Sequence, residues 1–378
     1  MREHGARVRR LTMVAFSAWL PACQGGDRAT PSSAPEDAVL RQTWSAFQAR
    51  FMEADGRVVD PKAGGITTSE GQAYAMLRAV WMGDRPVFDR AYAWAVEHLN
   101  RGVRSDRLWA WKWDGRVIDA AFASDADQDA ALALLMAART WNDPSYLERA
   151  RGTLADLWDK GTLVAGGRRY LLGGDSLCQG RTCRLNPSYC APYAYRYFAR
   201  DDPAHPWSEL VDSSYALLEA NAALTTTRLP SDWILLDTRT GALTLGSEQD
   251  SQYSYDALRV HWRVRLDGVL FAEPRAAAYL RSSLAWSADR WRRDGRLPAA
   301  ISAQGDPRVE YEAPEMQATL MAAMEDWAAD VAGSMDQRLQ ASLSNGLWGD
   351  RDSYYLQNWA WFGTALRRRT LTPFERLR

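Results

Sequence analysis

The sequence predicts an all-α protein, a toroid of helical hairpins with at most a small β-hairpin. Three observations carry this expectation. Apolar residues recur at i, i+3 and i+4 along many segments. The helical segments arrive in pairs joined by short breaks, and no Pro/Gly-rich linker divides residues 36–378. Strand signals are few, the best being 233–237 and 240–245 around Gly241. Residues 36–378 therefore read as one domain, long enough to bury a sizeable core.

In chain order, residues 1–22 read as an export signal of the lipoprotein type. Arg2, Arg7, Arg9 and Arg10 precede the apolar stretch Leu11 to Leu20, which is too short to span a bilayer as a mature helix. Leu20-Pro21-Ala22-Cys23 resembles a bacterial lipobox, which makes Cys23 the expected lipidation site. Pro21 is an uncommon residue there, so plain secretion is the alternative. Residues 23–35 are small and polar, as in a flexible tether. Helices are then expected over 36–53, 70–83, 86–101, 125–141, 144–160, 208–224, 254–267, 274–293, 313–331, 335–344 and 355–368. In 125–141, for example, Ala131, Leu134, Leu135, Ala138 and Trp141 share one face.

Composition narrows the chemistry. A net charge of -1 gives no field that would draw nucleic acid, and the only membrane contact expected is through a lipid anchor. The four histidines are scattered, with no metal-ligand spacing, and no G-x-S-x-G or phosphate loop is present. No metal or cofactor is expected, and acid–base work falls to Asp and Glu. Eighteen tryptophans are many for this length. Their flat faces complement sugar rings, although most are expected in the core and a handful in a cleft. Cys178 and Cys183 lie five apart in a Gly/Arg-rich loop and are disulfide candidates in an oxidising compartment. Cys190 is then left unpaired and buried.

Three acidic segments stand out. Glu70 follows Gly64-Gly65-Ile66-Thr67-Thr68-Ser69 at a helix start, where the bland reading is a first-turn carboxylate behind a Ser69 cap. A helix N-terminus favours the ionised carboxylate. A general acid must stay protonated, so burial or a second carboxylate would have to outweigh the dipole. Asp125, Asp127 and Asp129 open the next segment like a calcium loop, but Ala130 and Met136 break that pattern. Ser124 or Asp125 would suffice as a cap, so the excess acid points elsewhere. In the third segment, Tyr255-Asp256 is followed one turn later by Arg259, which suits orientation of an acid or a surface ion pair.

Together these segments resemble glycoside hydrolase family 8, which includes inverting endoglucanases and cellulases. Ala123-Ser124-Asp125-Ala126-Asp127 carries the sharpest likeness and continues through Ala131, Ala133, Leu134, Leu135, Ala137 and Trp141. Ser69-Glu70-Gly71 resembles the family's general-acid motif, and Tyr255-Asp256-Ala257 with Arg259 its general-base motif. Asn186-Pro187-Ser188-Tyr189 followed by Ala191-Pro192 resembles a further segment, with Cys190 replacing the usual Phe. Tyr354-Tyr355 with Gln357-Asn358 and Phe362-Gly363 resembles the C-terminal helix. The departures are Ala130 for Ile or Met, and His261 where proline is common.

The resemblance implies an (α/α)6 barrel and hydrolysis with inversion. Glu70 would be the general acid and Asp256 the general base. Asp125 would bind the central sugar, Tyr189 would hold the water, and Trp111 would stack on sugar. Tyr255 and Arg259 would orient Asp256 and contact substrate. An inverting pair stands about 6.5–9.5 Å apart, against about 5 Å for a retaining one. The expected substrate is a β-1,4-linked glucan, cellulose-like or an exopolysaccharide, cut internally by a monomer at the periplasm or cell surface. Chitosanase, lichenase and xylanase activities are alternatives within the family. Outside it, the alternatives are a non-catalytic carbohydrate-binding lipoprotein and an unrelated all-α toroid such as a polysaccharide lyase, against which carboxylates occupy every key motif.

Overall fold

The computed structural model describes Met1, residues 35–175 and residues 177–377. The expected signal apart from Met1, the lipobox with Cys23 and all of the tether but Pro35 lie outside the described residues. Twelve helices of ten or more residues occur among the described residues. They are α1 (Pro35–Phe51), α2 (Ser69–Met82), α3 (Arg85–Ala95), α4 (Ser124–Thr140), α5 (Pro144–Gly161) and α6 (Pro192–Asp201). The second half comprises α7 (Ser208–Ala223), α8 (Leu258–Phe271), α9 (Pro274–Asp294), α10 (Pro314–Met324), α11 (Ala329–Ala341) and α12 (Tyr354–Arg367).

The even-numbered helices touch in the closed order α2, α4, α6, α8, α10, α12 and back to α2. Each also packs against one odd-numbered helix outside it, with α1 backing α12. This is an (α/α)6 barrel. Burial divides the two rings: α4 buries fifteen of its seventeen residues, whereas α5 buries seven of eighteen, on one stripe. An inner helix is apolar or paired all round because it has neighbours on every side, and an outer helix needs only one such face.

The ring can close because Gly363 on α12 lies against α10. A Cβ there would stand 2.2 Å from the Ala318 carbonyl oxygen. Eleven tryptophans are buried, so most of them are core, as expected. At the end of the chain the short helix α13 (Thr372–Glu375) packs Phe374 against Trp81 at the C-terminus of α2 and against Tyr193.

Two expectations change. The helix pass omits α6, which is only ten residues long; its Tyr and Phe rings are buried, and Arg196, Ala199 and Arg200 form its more open stripe. The strand content also exceeds one hairpin. The expected pair forms as β8 (Ile234–Asp237) and β9 (Leu243–Leu245). It is extended to four strands by β6 (Cys178–Gln179) and β7 (Thr182–Leu185). A second sheet joins β1 (Thr67–Thr68), β2 (Ala110–Trp113) and β3 (Val117–Phe122), and β4 (Thr162–Ala165) pairs with β5 (Arg168–Leu171). These strands are two to six residues long, too short for period-2 alternation to register. They lie in connecting segments at the barrel rim.

Candidate active site

The N-termini of α2, α4, α8 and α12, with the segment before α6, meet around a cavity of about 490 Å³. Its wall includes Glu70, Asp125, Tyr189, Asp256, Arg259 and Trp111. Asp256 is shared with a second cavity of about 540 Å³, which holds Tyr255 and Tyr311. Asp119, Ala121 and Asp175 are shared with a third of about 670 Å³. The three adjoin through these shared residues, with Glu70, Asp125 and Asp256 lining the middle one, called the groove below.

Local structure explains how each acid is presented. Thr68, rather than Ser69, caps α2, accepting the Gly71 N–H at 3.1 Å. Helix α4 has no side-chain cap at all: Ser124 donates to the Leu172 carbonyl, and Asp125 accepts the neighbouring Ala126 N–H at 2.9 Å. Asp127 accepts the Trp109 N–H at 3.0 Å, and Asp129 holds Arg263 through both oxygens. Of the three alternating aspartates, only Asp125 lines the groove.

Arg259 is the hub. One guanidinium nitrogen donates to Glu70 at 2.7 Å and to Asp125 at 2.8 Å, and the other donates to Asp256 at 2.5 Å. Its side chain is 2% exposed. The guanidinium also lies over the Tyr189 ring, 5.3 Å from its centroid. Two of its nitrogens thus serve carboxylates and the third, Nε, donates to the Asp256 carbonyl at 3.2 Å, so of its two expected duties the orienting one has direct geometry. Glu70 and Asp256 bind different nitrogens of this planar cation, which stands between them.

One cation facing three carboxylates leaves excess negative charge. Burial above all, then the charges of Asp125 and Asp256, raises the Glu70 carboxyl to about 7. Arg259 and the hydrogen bond from the Tyr354 hydroxyl, at 3.0 Å, pull the other way. The tension between helix dipole and general acid is therefore resolved by desolvation. Burial likewise pushes Asp125 above the usual carboxylate range. Asp256 is the most open of the three, its side chain 36% exposed against 20% for Glu70 and 3% for Asp125.

Tyr255 lies in the adjoining cavity, where its carbonyl accepts the Tyr355 hydroxyl. Trp113 packs edge-on against Trp94 and under Arg57, and Trp109 is buried, so of that cluster only Trp111 lines the groove. His261 is a core residue held between the Tyr253 and Ser283 hydroxyls. Cys178 and Cys183 face each other across β6 and β7 and form a disulfide, while Cys190 is free and buried.

Sequence reasoning gave no site role to three residues here. Trp233 donates its indole N–H to Asp256 at 3.1 Å. Asp232 is buried beside it, and burial with the nearby Asp256 charge raises its carboxyl to about 6. Tyr354 binds Glu70. Asp232 and Trp233 read as the entry to a strand, and no spacing links them to Asp256.

The model for glycosyl hydrolases family 8 matches residues 28–364. The chain belongs to this family. An endoglucanase of Salmonella typhi is 34% identical over 227 residues, which are 58% of this chain and 60% of that protein. An endoglucanase of Xanthomonas axonopodis pv. citri is 32% identical over 280 residues, 71% of this chain and 69% of that protein. The solved endo-beta-1,4-glucanase of Acetobacter xylinum matches with a TM-score of 0.72 at 26% identity, covering 89% of this chain and 99% of that one. The chain spans about 60% of the length of the Salmonella relative it matches. Like that structure, this family member is an (α/α)6 barrel.

Proposed function

We propose that this family 8 chain is an inverting, endo-acting glycoside hydrolase that cleaves a β-1,4-linked glucan. The observation that carries the reading is Glu70: a groove-lining carboxyl that burial raises to about 7, facing a second, more open carboxyl across a single guanidinium. A proton donor and a base held apart on different nitrogens of one guanidinium suit attack by water from the face opposite the leaving group. In this scheme Glu70 protonates the glycosidic oxygen and Asp256 takes the proton of the attacking water. Tyr189, beside Asp256 and against Trp233, holds that water. Asp125 binds the central sugar, and its charge helps keep Glu70 protonated. Trp111 offers a sugar-stacking face, and Tyr255 contacts substrate beyond Asp256.

A groove adjoined by two further cavities suits internal cutting of a chain. The other carboxylates along the three are largely neutralised. Asp175 and Asp106 pair with Arg104 at 2.8 Å, Asp106 also with Lys160 at 2.6 Å, and Glu248 with Arg308 at 3.0 Å, which leaves Asp119, bonded to the Ala121 N–H, and the buried Asp232, bonded to Ser254 and Ala257. An amino-sugar polymer would want unpaired carboxylates, so a neutral glucan is favoured over chitosan. The presence of all three acids speaks against a purely binding role. A lipid-anchored place in the periplasm or at the cell surface is supported by the sequence around Cys23. The Cys178–Cys183 disulfide suits an oxidising compartment.

The test is a reducing-sugar screen of the soluble domain on carboxymethylcellulose, mixed-linkage glucan, xylan and chitosan, with NMR of the first product. Activity on the β-1,4-glucans with the α-anomer appearing first is expected. A β-anomer product would replace inversion with retention, and preference for chitosan would overturn the substrate class.

A further inference from the structure

We propose that Asp232 and Trp233 form a positioning element for Asp256. Asp232 fixes the backbone that carries the carboxylate, and the Trp233 indole fixes the plane of the carboxylate itself. The proposal rests on Asp256 being the base. Asp232 is 5% exposed. One of its oxygens accepts the N–H groups of Ser254 at 3.0 Å and Ala257 at 2.9 Å, and the other accepts the Ser254 hydroxyl. All three donors come from the two residues that bracket the Tyr255-Asp256 pair. A carboxylate taken out of water is costly unless its acceptors are filled, and here the backbone of the base loop fills them.

The same dipeptide continues the clamp on both sides. The Asp232 N–H donates to the Gln252 carbonyl at 2.7 Å and the Trp233 N–H to the Asp250 carbonyl at 2.8 Å. On the opposite flank, Tyr253 and Ile301 exchange backbone hydrogen bonds at 2.8 and 3.0 Å. Residues 250–257 are thus held from two directions. The Trp233 side chain then turns back and donates to Asp256 Oδ2 at 3.1 Å, while Arg259 donates to Oδ1. With one donor on each oxygen, the carboxylate cannot rotate, and each oxygen keeps an acceptor direction for water. The indole is itself held, with the Arg184 guanidinium 4.7 Å from its ring centroid. A turn-stabilising role alone would explain the Asp232 bonds, but not an indole aimed at the carboxylate.

The experiment compares Trp233→Phe, Asp232→Asn and Asp256→Asn by kcat, KM, binding of an uncleaved cello-oligosaccharide and thermal midpoint. Trp233→Phe keeps the ring face and deletes only the N–H. It should lower kcat by about 10- to 100-fold, the scale of a misplaced catalytic group, with KM and binding within about twofold. Asp232→Asn should fall in the same direction. Wild-type kcat in Trp233→Phe would overturn the proposal, as would a kcat loss matched by an equal loss of binding. If Asp232→Asn unfolds, Trp233→Phe decides alone. If Asp256→Asn itself stays active, the assignment of the base fails. If only Asp256→Asn is inactive, the positioning role fails and the base assignment stands.

Discussion

Two arginines one turn apart on α8 show what separates a closed ion pair from one with excess negative charge. Arg263 and Arg259 are both about 1% exposed and both reach an aspartate on α4, Asp129 and Asp125, which are themselves one turn apart. At the deeper level the match is one to one. Arg263 binds Asp129 through two bonds of 2.9 and 2.7 Å, with the Tyr193 hydroxyl at 3.0 Å. At the rim Arg259 faces Asp125, Glu70 and Asp256 together. The same pair of residue types makes a closed contact where charges balance. It makes a proton-holding site where they do not, because a buried excess of negative charge is relieved by keeping a proton.

The comparison can be broken most severely at Glu70. Glu70→Gln should lower kcat by about 10²- to 10⁴-fold, the range for a general acid, while oligosaccharide binding persists. Steady-state kinetics with calorimetry would check this, and near-normal turnover would remove Glu70 from its role. Next in size is the deep pair. Asp129→Asn leaves Arg263 buried and uncompensated, which should destabilise the fold by about 3–5 kcal/mol, visible in denaturant unfolding. A neutral result would mean that the deep pair is not the closed unit described.

The third effect has the opposite sign. The Glu70 carboxyl is raised from 4.5 to about 7, so the folded state binds its proton more tightly than the unfolded chain does. Its contribution to stability is intact below about pH 4.5 and is lost as pH rises toward 7. Glu70→Gln should therefore stabilise the protein at pH 8, by up to about 3 kcal/mol, with the gain fading below pH 5. Thermal melts across that range would test it; destabilisation at pH 8 would contradict the charge imbalance at the rim. The smallest effect is electrostatic tuning. Asp125→Asn removes a charge that raises Glu70, so the alkaline limb of kcat/KM should move to lower pH, by about one unit or less. A shift upward would reverse the assigned coupling.

Much of the barrel was legible because helix periodicity is a local signal. The inner helix α4 announced itself through its apolar run, and its acidic start marked a place where capping alone could not account for three aspartates. The site was legible only as separate pieces. Glu70 in isolation is a first-turn carboxylate, and nothing near it names Arg259, 189 residues away. Trp233 was hidden for the same reason. Its one informative bond reaches a side chain in another segment, and a tryptophan entering a short strand looks like core. Helix α6 was missed because ten residues hold fewer than three turns, too few for the stripe of Arg196 and Arg200 to stand out among the aromatic residues.

The sequence by itself determined the helical hairpins, the family likeness and the identity of the three acids, since these depend on local pattern and on residue type. Tertiary structure alone decided that one guanidinium would join the three acids and that Thr68, not Ser69, would cap α2. It also decided that Glu70 would hold its proton to about pH 7. Those outcomes depend on burial and on distances between segments far apart in the chain, and desolvation has no local signature.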